Sequence, residues 1–143
     1  MNEVVILVGR QGSGKTHYCR TVLPEHVRLS QDEGPRDFER LFRRYQKLLE
    51  DGVEKVVIDR TNPTRQRRQL FADAARARGY RVRIVHLDVP GELCRQRIRN
   101  RQTHPTLTAE TMHEAIARYD SQFEAPCAQE CDELVVVREP PAV

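Results

Sequence analysis

Short unbroken apolar runs alternate along the chain with stretches in which apolar residues return every three or four positions. Val4 to Val8 is continuous and rich in β-branched residues, which predicts a parallel strand covered on both faces and central in its sheet. A helix from about Lys15 to Leu23 stops before Pro24, Val27 to Leu29 predicts a short second strand, and Ser30 to Pro35 reads as loop. From about Arg36 to Glu50, Phe38, Leu41, Phe42, Tyr45, Leu48 and Leu49 trace one buried helical face that Asp51-Gly52 ends. Val56 to Ile58 is the third strand, with Asp59 at its C-terminal end. Asn62 is expected to cap the next helix, with Pro63 at the first helical position, Leu70, Phe71, Ala74 and Ala75 on the inner face, and Gly79 closing it. Arg81 to Leu87 is a fourth strand with Val82 and Ile84 on one face and His86 a further candidate for it. Glu92 to Asn100 reads as a short basic helix, Thr103 to Thr108 as loop, and Met112, Ala115, Ile116, Tyr119 and Phe123 as a last amphipathic helix before a fifth strand, Leu134 to Val137.

Apolar strands alternating with helices imply an α/β fold: a parallel five-stranded sheet flanked by helices in three layers, with a short arginine-rich lid at about residues 91–107. The expected organisation is one domain over residues 1–138 and a C-terminal tail over 139–143. In such sheets ligands bind beyond the C-terminal strand ends, which gathers four separate segments at one edge.

Composition narrows the class. With 31% charged residues and a mean hydropathy of −0.67, the chain is expected to be a cytoplasmic protein without membrane insertion, and nothing at the N-terminus resembles an export signal. The four cysteines, Cys19, Cys94, Cys127 and Cys131, are expected as free thiols, and Cys127 with Cys131 supplies only two of the four ligands a zinc site needs. A net charge of +3 says less than the clustering of the arginines.

Gly9-Arg10-Gln11-Gly12-Ser13-Gly14-Lys15-Thr16 follows the first strand and matches the phosphate-loop pattern G-x-x-x-x-G-K-[ST] in full, which chance would produce in roughly one of two hundred chains of this length. Its glycines let successive N–H groups turn inward around phosphate oxygens. Lys15 would reach the β- and γ-phosphates of ATP and the Thr16 hydroxyl would ligate Mg²⁺. Asp32, just past the second strand, is a candidate to accept the proton of an acceptor hydroxyl, or else a turn or cap residue. Asp59 could hold the Mg²⁺ hydration shell or position neighbouring loops. In the basic helix Arg97 and Arg101 share one face and Arg95 and Arg99 another, so one face could meet a transferring phosphate while a solvated face is the plainer alternative. Arg60, Arg65, Arg67 and Arg68, with Arg36, Arg43 and Arg44, could line a track for a polyanion.

These motifs, in this order, resemble the kinase domain of the 5′-hydroxyl polynucleotide kinases over nearly the whole chain. Ser30-Gln31-Asp32 resembles the family's post-strand motif, Val57-Ile58-Asp59-Arg60-Thr61-Asn62-Pro63 its I-D-x-T-N-P signature, and Arg97-Ile98-Arg99-Asn100-Arg101 its R-N-x-x-R lid motif. Gln122-Phe123-Glu124-Ala125-Pro126 resembles a stretch near the end of the mammalian domain and is the most specific of the matches. The resemblance implies a P-loop kinase in which Asp32 is the general base and Arg101 contacts the transferring phosphate. Gly9, Gln11, Gly12, Ser13, Gly14, Lys15 and Thr16, with Arg97, would bind ATP, and Arg36, Asp59, Thr61 and Asn62 would lie on the acceptor side. Three residues past the base, where phage members carry an arginine on the acceptor's 3′-phosphate, stands Pro35, and Ile98 replaces the lid asparagine. No D-x-D-x-T phosphatase signature occurs in these residues. The implied reaction is transfer of the γ-phosphoryl of ATP to the 5′-hydroxyl of DNA or RNA. The alternatives are a kinase of a small hydroxyl acceptor (nucleoside, sugar or antibiotic) and a non-catalytic nucleotide-dependent binding module.

Overall fold

The computed structural model describes residues 2–30, 37–100 and 109–138. Five parallel strands, β1 (Glu3–Val8), β2 (Val27–Ser30), β3 (Lys55–Asp59), β4 (Arg81–Leu87) and β5 (Glu133–Val137), form one sheet in the order β2-β3-β1-β4-β5. The central place of β1 explains its unbroken apolar sequence: Val4 to Val8 are all fully buried between β3 and β4 and under helices on both faces.

The helices are α1 (Lys15–Thr21), α2 (Phe38–Glu50), α3 (Arg65–Ala77), α4 (Gly91–Asn100) and α5 (Ala109–Gln122), with a 3-10 turn at Ala128–Glu130. On one face of the sheet Val4, Ile6, Val56, Ile58, Val82 and Ile84 pack against Leu41, Tyr45 and Leu49 of α2 and Phe71, Ala72 and Ala75 of α3. On the other, Val5, Leu7, Val57, Val85 and Leu87 pack against Tyr18 and Cys19 of α1 and the following Leu23. A smaller cluster, Val89, Cys94, Ile98, Met112 and Ile116, joins α4 to α5. The expected α/β class, the five parallel strands and the three layers are all present.

Two expectations about α3 are corrected. The helix starts at Arg65, and its N-cap is Thr64, whose side chain accepts the Arg67 N–H, rather than Asn62 followed by Pro63. Asn62 cannot cap because it is buried in a left-handed conformation, φ 45°, with its Nδ2 donating to the Leu7 carbonyl at 2.8 Å. The inner face is Arg68, Phe71, Ala72 and Ala75, an i, i+3, i+4, i+7 series, whereas Leu70 is 44% exposed. The fourth member of that apolar series is thus an arginine. Similarly, α2 begins at Phe38 rather than Arg36, because the Asp37 side chain accepts the Glu39 N–H at 2.9 Å and caps it.

Arg68 is fully buried and therefore belongs to no solvent-facing polyanion track. Its Nε donates to Glu130 Oε1 at 2.8 Å, its Nη2 to Glu130 Oε2 at 3.3 Å and to the Glu124 carbonyl at 2.8 Å, and its Nη1 to the Asn62 carbonyl at 2.9 Å. Burial would raise the Glu130 carboxyl, but the hydrogen bonds from Arg68 and the Cys127 amide outweigh it and hold the group below its ordinary range.

Removing one member of such a pair strands the other in a poorly solvated place. Arg68→Met should therefore lower the free energy of urea unfolding at neutral pH by about 3–5 kcal/mol, and a change under about 1 kcal/mol would show that the pair is not a structural anchor. Because Glu130 titrates lower when folded, its contribution is complete above its unfolded value near 4.5 and is lost as pH falls through the folded value. Glu130→Gln should accordingly flatten the acid limb of the stability curve below that pH while lowering stability above it.

Candidate functional site

The chain leaves the sheet centre at Val8 and turns at once into the glycine-rich loop. Gly9 N donates to the Thr61 carbonyl at 3.1 Å, and Ser13 N to the Arg10 carbonyl at 3.1 Å, closing the loop on itself and tying it to the segment after β3. Gly12 and Gly14 have φ of 79° and 95°, the left-handed region in which a side chain is strained, and Gly14 forms the N-cap of α1. The first turn of α1 carries no acidic residue, so nothing negative competes for the loop amides. Lys15 Nζ donates to the Gly9 and Arg10 carbonyls at 3.1 and 2.8 Å, which holds its charge against the loop. Gln11 Oε1 and Ser13 Oγ are buried there without a hydrogen-bond partner.

Thr16 follows Lys15 and faces the end of β3. Its hydroxyl donates to Asp59 Oδ2 at 3.2 Å, Arg28 Nε donates to the same oxygen at 2.7 Å, and Arg28 Nη2 donates to Thr16 Oγ1 at 3.1 Å. The Asp59 side chain is only 4% exposed. Two hard oxygen donors side by side, already sharing a positive charge, suit the donor chemistry of Mg²⁺, with Arg28 as a cationic stand-in from the protein itself. Arg28 escaped the sequence reading. The trace it leaves is an arginine inside a four-residue strand, its partner a carboxylate 31 positions further on.

Helix α4 leans directly on the loop. Arg97 Nη1 donates to the Gly12 carbonyl at 3.3 Å, and a Cβ on Gly12 would lie 2.8 Å from the Cys94 carbonyl oxygen. Arg10, another residue not singled out beforehand, donates to Asp120 of α5 at 2.7 Å and to the Val89 carbonyl at 2.8 Å, with its guanidinium over the Tyr119 ring. Arg99 pairs with Glu92 at 3.6 Å on the exposed side, a contact worth little. Asp32, Arg36 and Arg101 lie outside the described residues. The last residue of β2, Ser30, stands in register with Asp59.

Beyond β3, the expected acceptor-side residues divide. Thr61 contributes its carbonyl to Gly9, and the Asn62 amide is turned inward to Leu7 and to the Arg60 carbonyl at 3.3 Å. Outward, a cleft of about 470 Å³ opens between Phe38, Arg60, Thr61, Pro63, Arg67 and Gln122 among its lining residues. The Gln122–Pro126 stretch braces this loop: Glu124 N donates to the Pro63 carbonyl at 2.8 Å, and Glu124 Oε1 accepts the Arg65 N–H at 3.0 Å. Among the described residues no helix is long and apolar enough to cross a membrane, and no group of three or more His, Cys, Asp and Glu could hold a metal.

A family model described as an AAA domain matches residues 4–126. The chain is 28% identical over 136 residues to the bifunctional polynucleotide phosphatase/kinase of Schizosaccharomyces pombe, a match that covers 90% of this chain but spans 31% of that relative. Among solved structures, a sugar kinase from Janibacter sp. HTCC2649 superposes with a TM-score of 0.67 at 21% identity, covering 96% of this chain and 86% of that one. A fungal RNA kinase superposes at 0.68 with 12% identity, covering 99% and 79%. The fold is therefore that of the P-loop kinases.

Gly12 and Gly52 together test the loop geometry. Both have positive φ, but a Cβ at Gly52 would meet nothing within 4 Å, whereas at Gly12 it would strike the α4 backbone. Gly52→Ala should cost about 1 kcal/mol of stability and leave ATP affinity unchanged, as titration calorimetry would show. Gly12→Ala should weaken ATP binding at least tenfold, roughly 1.4 kcal/mol or more. Equal ATP affinity in the two variants would mean the loop does not depend on its contact with α4.

Proposed function

From a chain that belongs to the AAA domain family and folds as a P-loop kinase, we propose an ATP-dependent kinase that phosphorylates the 5′-hydroxyl end of a polynucleotide. The observation that carries this reading is a convergence at one end of the sheet. The phosphate loop with Lys15, the Thr16–Asp59 pair and an arginine-lined cleft that begins at the residue after Asp59 stand side by side. A donor cradle next to a cationic acceptor cleft suits an acceptor that is itself a polyanion. The similarity to the yeast polynucleotide phosphatase/kinase supports the same substrate class.

In this reading the loop amides and Lys15 cradle the β- and γ-phosphates, with Arg97 closing the lid side. Thr16, with Asp59 alongside, would hold Mg²⁺, which when bound neutralises charge on those phosphates. The 5′-hydroxyl oxygen attacks the γ-phosphorus, the bond from that phosphorus to the β–γ bridging oxygen breaks, the hydroxyl proton passes to Asp32, and ADP leaves. In the same reading Arg101 would supply positive charge to the transferring group, and Arg36, Thr61 and Asn62 would serve the acceptor. The domain proper is residues 1–138, with the lid over about 91–107.

The test is transfer of labelled γ-phosphate to 5′-hydroxyl DNA and RNA of one sequence, with Mg²⁺ and with Lys15→Ala as control. Label on either strand that is lost in the control is expected. Asp32→Ala should lower turnover by about 10²–10⁴-fold while ATP binding is kept. Transfer only to small hydroxyl acceptors would overturn the polynucleotide reading, and full turnover in Asp32→Ala would remove the base assignment.

A further inference from the structure

Arg28 is placed by the pleat of the sheet. Side chains alternate along a strand, so Arg28 and Ser30 of β2 share a face, and in register with them stand Val57 and Asp59 of β3. Val57 packs with Tyr18 and Cys19 of α1, which makes this the face that carries Thr16. Three segments thus bring a guanidinium, a hydroxyl and a carboxylate together, with the Arg28 and Asp59 side chains only 12% and 4% exposed.

The acceptor capacity of this cluster is nearly filled. A carboxylate oxygen offers about two lone-pair sites. Asp59 Oδ2 gives one to the Thr16 hydroxyl at 3.2 Å and one to Arg28 Nε at 2.7 Å. Arg28 Nη2, at 3.1 Å, takes a lone pair of Thr16 Oγ1 as well. The same two oxygens suit a magnesium ion, since their separation of 3.2 Å is close to the edge of about 3 Å in an octahedron with ligands at about 2.1 Å. One edge of the guanidinium therefore covers the edge that the ion would use. A hydroxyl that ligates a metal through a lone pair still has a proton to donate, and Asp59 Oδ2 is its acceptor. The bonds that can be released are those of the guanidinium.

Charge decides when they are released. Leaving Asp59 without a cation in so dry a place is costly, which explains why the chain supplies one of its own. Adding a free divalent ion beside Arg28 and Lys15, with one carboxylate to balance them, is opposed by like-charge repulsion and by the reluctance of Mg²⁺ to lose water. A nucleotide triphosphate brings the missing negative charge.

We propose that Arg28 is the resting counter-cation of the Thr16–Asp59 pair, holding the place of the metal and yielding it only to Mg²⁺ that arrives with a nucleotide triphosphate. Arg28 is then a positioning residue, which keeps the pair assembled and free metal out. The inference rests on the nucleotide half of the reading above and is independent of the acceptor.

The first test measures Mn²⁺ binding by electron paramagnetic resonance, without nucleotide, in wild type, Arg28→Gln and Arg28→Lys. Arg28→Gln keeps a hydrogen-bond donor for Asp59 and loses the charge, so it should bind Mn²⁺ about 10- to 100-fold more tightly than wild type. Arg28→Lys keeps the cation and should gain little. A glutamine variant no tighter than wild type, or a lysine variant that gains as much, overturns the proposal. The second test uses wild type alone and follows hydrogen exchange of the Arg28 Nε–H by nitrogen-15 NMR, so it decides the matter even if Arg28→Gln does not fold. Exchange should be slow without ligands, unchanged by Mg²⁺ alone, and faster by about tenfold or more with Mg²⁺ and the β,γ-imido analogue of ATP together. An Nε–H that exchanges fast from the start, or stays slow with both ligands bound, overturns the proposal. If calorimetry detects no binding of the analogue, the nucleotide reading fails separately and the Mn²⁺ comparison decides.

Discussion

A single buried guanidinium holds the functional end of this molecule together. Arg68 cannot be left unpaired in the interior, so its donors recruit the Glu130 carboxylate and the carbonyls of Asn62 and Glu124, drawing the stretch around α3 and the distant stretch 124–130 to one point. The loop after β3 is thereby clamped from the C-terminal side. From the other side it is held by the Asn62 amide on Leu7 and by the Gly9 amide on Thr61. The end of β3 sets the position of Asp59 beside Thr16, and this double attachment fixes the loop that follows, with Arg60 beside the cleft.

Charge around the sheet edge is arranged in graded states. Arg68 is satisfied and buried, Arg28 is satisfied and half-buried against Asp59 and Thr16, and Arg60 and Arg67 stay unsatisfied over an aromatic face. The thiol of Cys19, beneath this edge, is pushed up to about 12 by burial, with the nearby Asp59 charge adding to it, so it remains an inert core group. The modest net charge of +3 hides this gradation entirely. What bears on chemistry is which cations keep spare hydrogen-bond donors.

The strands and the central place of the first were legible because burial on both faces writes itself into unbroken apolar runs such as Val4 to Val8. The phosphate loop was legible for a different reason: its backbone requirements demand glycines at fixed spacing. The α3 start was misread since Asn62-Pro63 looks like a cap with its first helical residue, and the competing pull of the Leu7 carbonyl on the Asn62 amide leaves no local signal. Arg68 likewise broke the apolar series at a point where its partner lies 62 positions away. Arg28 and Phe38 were missed for related reasons, one being an arginine in a strand and the other an apparent core aromatic whose ring serves two guanidiniums. Pairings over such separations are properties of the fold, and periodicity does not encode them.

The absence of a side chain at Gly12 has a mechanical meaning as well as a conformational one. The loop backbone and the α4 backbone meet there at the Cys94 carbonyl, with the Ile98 side chain beside it. No flexible side chain stands between the two backbones to absorb movement. A displacement of α4 toward the sheet by a few tenths of an ångström must therefore reach the phosphate-loop amides almost undiminished. Helix and loop form a stiff linkage, in which the shape of the phosphate loop reports the position of α4.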